Sequence, residues 1–88
     1  MSPEDAIHQY RGKVAAIEVR GDCRFLRQVA TLLPQEDAES IEMWCRKAEE
    51  EMTKGAWQVA LVHVATAKSD VEFAIGYMKL KKDRGTGN

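Results

Sequence analysis

The chain has 88 residues, with thirteen Lys/Arg against fourteen Asp/Glu and a net charge of −1. That length holds one small domain, since domains commonly run to about 100–150 residues. Balanced charge excludes capture of long nucleic acid or of a membrane surface by bulk positive potential. An apolar fraction of 44% excludes wholesale disorder.

Ser2-Pro3-Glu4-Asp5 reads as a helix start, with Ser as N-cap, Pro at the first helical position and acids facing the positive end of the dipole. A long helical pattern follows and Pro34 ends it. Ile7, Tyr10, Val14, Ile17, Gly21, Phe25 and Leu32 recur at steps of three and four, the signature of one helix face. A second stripe, Val19, Cys23, Leu26, Ala30 and Leu33, lies on a neighbouring face. Gly21 admits a kink or a break, and one kinked helix is preferred.

Pro34-Gln35-Glu36-Asp37 is the clearest loop, and Asp37 is the expected N-cap of a second helix. Ile41, Trp44/Cys45, Ala48, Met52 and Val59 keep helical spacing, and Glu50 and Lys54 make an i,i+4 pair. Gly55 either ends this helix or permits close helix approach. The stretch from Ala56 to Ala67 is apolar nearly all round; its β-branched residues admit a strand, and its helical flanks favour a helix. At twelve residues it is too short to cross a bilayer. Ser69-Asp70-Val71-Glu72 has the form of a capping box, opening a third helix that closes on Lys79, Lys81 and Lys82.

The expected fold is all-α: a long helical hairpin with a shorter C-terminal helix, assembled as a homo-oligomeric helical bundle. Residues 1–84 form a single helical domain, and 85–88 a flexible C-terminal tail. The apolar segment after Gly55 exceeds what one protomer covers, so Trp57, Leu61 and Val64 are expected at the subunit contact. The acidic start, Met1 to Asp5, carries no basic-then-apolar export signal. A cytoplasmic protein with reduced, half-buried Cys23 and Cys45 follows, a disulfide remaining the other option.

No enzyme signature stands out: GxSxG, HExxH, GxxxxGK[ST] and GxGxxG are all absent. His8, Cys23, Cys45 and His63 are too far apart in sequence for a paired metal site, and no metal or cofactor is expected. Glu49, Glu50 and Glu51 splay around a helix and read as a solvated face. The polar feature that stands out is basic. Lys13, Arg20, Arg24 and Arg27 fall within about 60° on a helical wheel, beside the stripe that Tyr10 begins. Guanidinium and ammonium groups next to an aromatic ring suit a phosphate-bearing ligand with a flat base. The other reading is a solvated face paired with segment 34–55, which carries seven acids against three bases.

Tyr10 leading into Gly12-Lys13-Val14 and Ile17, a polar loop, then Trp44 eleven residues before Gly55 and a small-and-apolar run resembles the small phage-encoded anti-CBASS sponge proteins. The resemblance spans about Tyr10 to Val71. It implies a compact helical homo-oligomer that binds a cyclic oligonucleotide signal without hydrolysing it, in the cytoplasm of the host. Tyr10 matches the position whose ring stacks on a base. Ala15 and Glu18 stand where the family tends to carry Asn and Lys, and Arg20 or Arg24 would supply the phosphate contact from the next turn. His63 stands where Arg is usual, and Lys68-Ser69-Asp70 where a Pro closes the helix.

The ligand site expected from these readings is Tyr10 to stack, Lys13, Arg20 and Arg24 to hold phosphates, and His63 or Lys68 to close the pocket. The partners are other copies of the chain and an anionic, cyclic nucleotide. The competing reading is a small helical protein–protein interaction module or inhibitor that docks through the Trp57 surface and takes no small ligand.

Overall fold

The structure, a computed structural model, describes residues 1–86, with side chains through Lys82. Three helices follow one another: α1 (Pro3–Ala30), α2 (Gln35–Thr53) and α3 (Trp57–Thr86). Ser2 caps α1 as expected, its hydroxyl accepting the Asp5 N–H at 3.2 Å, and Pro3 sits where a missing N–H costs nothing. The helix runs unbroken through Gly21. It closes with Thr31, Leu32 and Leu33 donating to the carbonyls of Gln28, Val29 and Ala30.

Two sequence expectations are corrected at the helix ends, and of the two options for Gly55 the structure takes the helix end. α2 starts at Gln35 and not behind Asp37: Pro34, extended at ψ 150°, offers its carbonyl to Ala38 at 3.0 Å. Glu36 and Asp37 thereby fall in the first turn, where their charge meets the dipole. The helix ends in a Schellman turn, with Gly55 at φ +81°. Ala56 donates to the Glu51 carbonyl at 2.9 Å and Gly55 to that of Met52 at 3.0 Å. Lys54 pairs with Glu51 at 3.4 Å, and not with Glu50.

The expected capping box at Ser69 lies in the middle of α3, so no third helix starts there. Ala67 and Ala74, both buried, keep that stretch packed on either side of Ser69. Asp70, its supposed first-turn acid, accepts instead from the Ser40 hydroxyl of α2 at 2.8 Å. The C-terminal helix is thus the longest, at 30 residues, and the middle one the shortest, at 19. Of the tail expected at 85–88, residues 85 and 86 belong to α3 and the rest lies outside the described residues.

α2 runs antiparallel to both neighbours. Arg27 meets Glu42 and Glu49, and Ser40 meets Asp70. α1 and α3 are parallel: the Trp57 ring lies 3.4 Å from where a Cβ on Gly12 would stand, and Lys68 pairs with Asp22 at 2.9 Å. The helices are offset, so the first turns of α1 and the last turns of α3 project from opposite ends of a body 66 Å long and 19 Å wide. His8, its ring 5.7 Å from that of Trp57, is the link between the α1 overhang and α3.

The core is built from small side chains. Ala15, Val19, Cys23, Leu26 and Ala30 of α1 meet Ile41, Cys45 and Ala48 of α2 and Ala60, Val64, Ala67 and Ala74 of α3. Many of these are alanine, which lets backbones approach closely. The larger apolar residues lie outside. On α1, Ile7, Tyr10, Ile17 and Phe25 are exposed, Ile17 at 74%, as is Leu32 in the turn that follows, at 78%. On a helical wheel this stripe lies nearly opposite the buried one, and not on a neighbouring face as expected. Of the two stripes in the sequence, the one holding Cys23 and Leu26 packs the chain, and the one holding Tyr10 faces outward.

Of Trp57, Leu61 and Val64, expected at a subunit contact, Val64 is placed inward and is corrected. Val64 is 2% exposed in the chain's own core, and Leu61 packs half-buried against it. Trp57 is half-buried against α1. Val64 turns inward because α3 is flanked by two helices that cover that side, while Trp57 and Leu61 keep part of their surface outside.

Candidate functional site

Arg27 leaves the basic row. Its guanidinium lies between two carboxylates of α2, donating to Glu42 at 2.7 and 3.2 Å and to Glu49 at 2.6 and 3.1 Å. These bonds hold Arg27 firmly charged and, with it, hold the Glu42 carboxyl below the usual carboxylate range. For this residue the reading of a basic face paired with an acidic helix is the correct one. The clamp is a structural tie between α1 and α2.

Lys13, Arg20 and Arg24 remain. All three are exposed, and none makes an ion pair among the described residues. With Tyr10, 69% exposed, they occupy one edge of the outward apolar stripe. From Tyr10 to Arg24 the row extends about 21 Å along α1, at 1.5 Å per residue. Arg20 also lines the rim of a cleft of about 230 Å³ between α1 and α2, with Glu49, Met52 and Thr53. The carboxylate there makes that cleft a poor anion site.

His63 and Lys68 do not join this row. His63 is half-buried, its ring 5.4 Å from that of Trp44 on α2. Lys68 pairs with Asp22, on the side of α1 that faces α3. Their engagement inside the chain follows from α3 packing against both neighbours. A pocket closed by His63 or Lys68 over Tyr10 is therefore not formed within one chain.

The two cysteines face one another across α1 and α2 as free thiols. The Cys23 thiol donates to the Cys45 carbonyl at 3.8 Å. Both are fully buried, deeper than the half-buried thiols expected. Burial pushes both thiols up, Cys23 to about 12 with the adjacent Cys45 adding to it. Neither is placed or ionised to act as a nucleophile. Among the described residues no group of three or more His, Cys, Asp or Glu side chains could hold a metal ion, and no helix is long and apolar enough to cross a membrane.

Helical spacing puts Phe73, Tyr77 and Leu80 on one side of the C-terminal helix, and the structure turns that side outward as a second surface, on the far half of α3. Ser69, Glu72, Phe73, Gly76, Tyr77 and Leu80 line an open groove of about 410 Å³ there, and Phe73 is 81% exposed. The three-and-four spacing of Ser69, Phe73, Gly76 and Leu80 was the available signal. Searches with protein-family models, against curated proteins and against solved structures gave no match to this chain. Among the described residues, fold and surface thus define three helices with large apolar residues on two outward faces and, on one, a basic edge without ion pairs.

Proposed function

We propose that this is a non-enzymatic, self-associating helical protein that captures an anionic nucleotide, of the cyclic signalling kind, between copies on the outer face of α1. The observation that carries this reading is the adjacency on one helix of an exposed Tyr10, three cations without ion-pair partners and a stripe of exposed apolar residues. A ring and guanidinium groups match a base and its phosphates. A convex helix face cannot enclose a ligand by itself, and ligand sites commonly bury about 70–90% of what they hold. Enclosure needs a second surface, and the exposed stripe beside the cations supplies a reason for another copy to settle there. Tyr10 stacks, while Lys13, Arg20 and Arg24 hold phosphates. His63 and Lys68 serve the chain's own packing.

On this reading the protein acts in the cytoplasm of an infected cell as an immune-evasion sponge, withdrawing a cyclic oligonucleotide signal without hydrolysing it. The resemblance of the Tyr10–Val71 stretch to the anti-CBASS sponges supports it. Equilibrium binding to cyclic di- and trinucleotides tests the residue assignment. Arg20→Glu and Arg24→Glu should abolish binding while helical circular dichroism stays unchanged. Unaltered affinity in both variants would remove these residues from any site. The alternative, a small protein-interaction module with no small ligand, draws on the extent of exposed apolar surface, which exceeds what a lone chain needs.

A further inference from the structure

The outer face of α3 carries a pattern that the α1 reading leaves unused. Val62, Thr66, Ser69, Phe73, Gly76 and Leu80 follow one another at alternating steps of four and three, on the side of the helix away from Ala60, Ala67 and Ala74 in the core. Such spacing is the seam of two paired helices. Val62, Phe73 and Leu80 are exposed, so within one chain the seam has no second strand.

We infer that the second strand is α3 of another copy, running antiparallel about a two-fold axis near residues 74 and 75. Side-chain size argues for this register. Large and small residues alternate along the seam, Ser69, Phe73, Gly76 and Leu80. In the antiparallel register that sets Phe73 over the partner's Gly76, the two-fold also sets Leu80 over the partner's Ser69. Every large side chain then meets a small one, as knobs meet holes. A Cβ at Gly76 would meet nothing within 4 Å inside the chain, so the space above it is open to a knob from outside.

Charge argues the same way. In this register Glu72 faces the partner's Lys79, twice by symmetry, and the Tyr77 hydroxyl comes to the partner's Asp70. A parallel, in-register pair instead stacks Phe73 on Phe73, leaves gaps at Gly76 and Ser69, and sets Glu72 beside Tyr77 with no opposite charge. In this register residues 67–82 of the two copies lie over one another, about 22 Å of helix, short for a stable interface of roughly 800 Å² per partner. The pair is accordingly concentration-dependent. None of the four residues assigned to the nucleotide lies on this face, so the inference stands or falls separately from ligand capture.

Sedimentation equilibrium of the whole chain over roughly 10–200 μM reads the association directly. The wild type should associate above its 9.9 kDa monomer mass. Gly76→Phe fills the hole and should weaken association by more than about tenfold. Glu72→Lys and Lys79→Glu should each weaken it by about tenfold, two like-charge contacts replacing two ion pairs. The double variant carrying both reversals restores the opposite pairs and should associate as the wild type does. Monomer mass throughout for the wild type would overturn the inference. So would unchanged association in Gly76→Phe, which would put the second copy on another face, or a double variant no better than either single. Circular dichroism checks that each variant remains helical, and the charge reversals decide the matter if Gly76→Phe does not fold.

Discussion

Arg27→Met removes the charge that ties α1 to α2 and keeps a stem of similar length. The wild-type guanidinium makes four hydrogen bonds to two carboxylates, at 2.6 to 3.2 Å. Arg27, Glu42 and Glu49 are all more than a third exposed, so solvent screening discounts the pairs to about 0.2–1 kcal/mol each. Two bidentate pairs, plus the mutual repulsion of Glu42 and Glu49 once the cation is gone, bring the expected cost to roughly 1–2 kcal/mol. In a domain of this size about 1 kcal/mol moves the melting temperature by about 4–8 °C, so a loss of about 4–16 °C is expected. Melts belong at one protein concentration, since association shifts apparent stability.

The same clamp sets an acid limb. Arg27 holds the Glu42 carboxyl below its ordinary range. A carboxyl lowered in the folded state contributes stability above its unfolded value of about 4.3, and that contribution is lost as pH falls through the lower, folded value. The gap between wild type and Arg27→Met should therefore be widest at neutral pH and narrow below about pH 4. A variant melting within about 2 °C of the wild type, with the same acid dependence, would refute the clamp as a source of stability.

Three further outcomes follow from the core and the turn. Cys23 and Cys45, buried and raised by burial, should resist a thiol reagent in the native protein and react fully after denaturation; rapid native labelling would contradict their placement. Because the Cys23 thiol is raised from 9.0 to about 12, its contribution is complete below the unfolded value and should be lost as pH rises through that interval, seen as falling stability in alkaline melts. Gly55→Ala, at φ +81°, should cost about 1 kcal/mol, read as a lower urea midpoint with unchanged slope; an unchanged midpoint would mean that the Schellman turn is not under that constraint.

The helical class, the Ser2 cap and the Pro34 break were legible because each rests on local chemistry: a hydroxyl before a run of N–H groups, a ring that fixes φ. The choice of inner face was not. α1 carries two apolar stripes, and hydropathy favours the one with Ile7, Tyr10, Ile17 and Phe25 because its side chains are larger. Burial goes to Ala15, Val19, Cys23 and Leu26, whose smaller volumes let α1 approach α2 and α3. Periodicity reports that a face is apolar and does not report what covers it. Ser69 misled for a related reason. Its spacing to Glu72 fits a capping box, but packing through Ala67 and Ala74 carries the helix past it. The basic row was legible as a row. The separation of Arg27 from Lys13, Arg20 and Arg24 depends on where Glu42 and Glu49 sit in space, which sequence spacing does not give.

Capture of an anionic nucleotide between copies is tested most directly by native mass spectrometry of the whole chain against a panel of cyclic di- and trinucleotides at near-physiological salt. One spectrum holds both the oligomer mass and any bound ligand. The expected result is an oligomer that gains the mass of one panel member at a fixed ratio, with the gain lost in Arg20→Glu and Arg24→Glu. An oligomer that gains no ligand mass across the panel would contradict nucleotide capture and leave the outward faces of α1 and α3 as protein-binding surfaces.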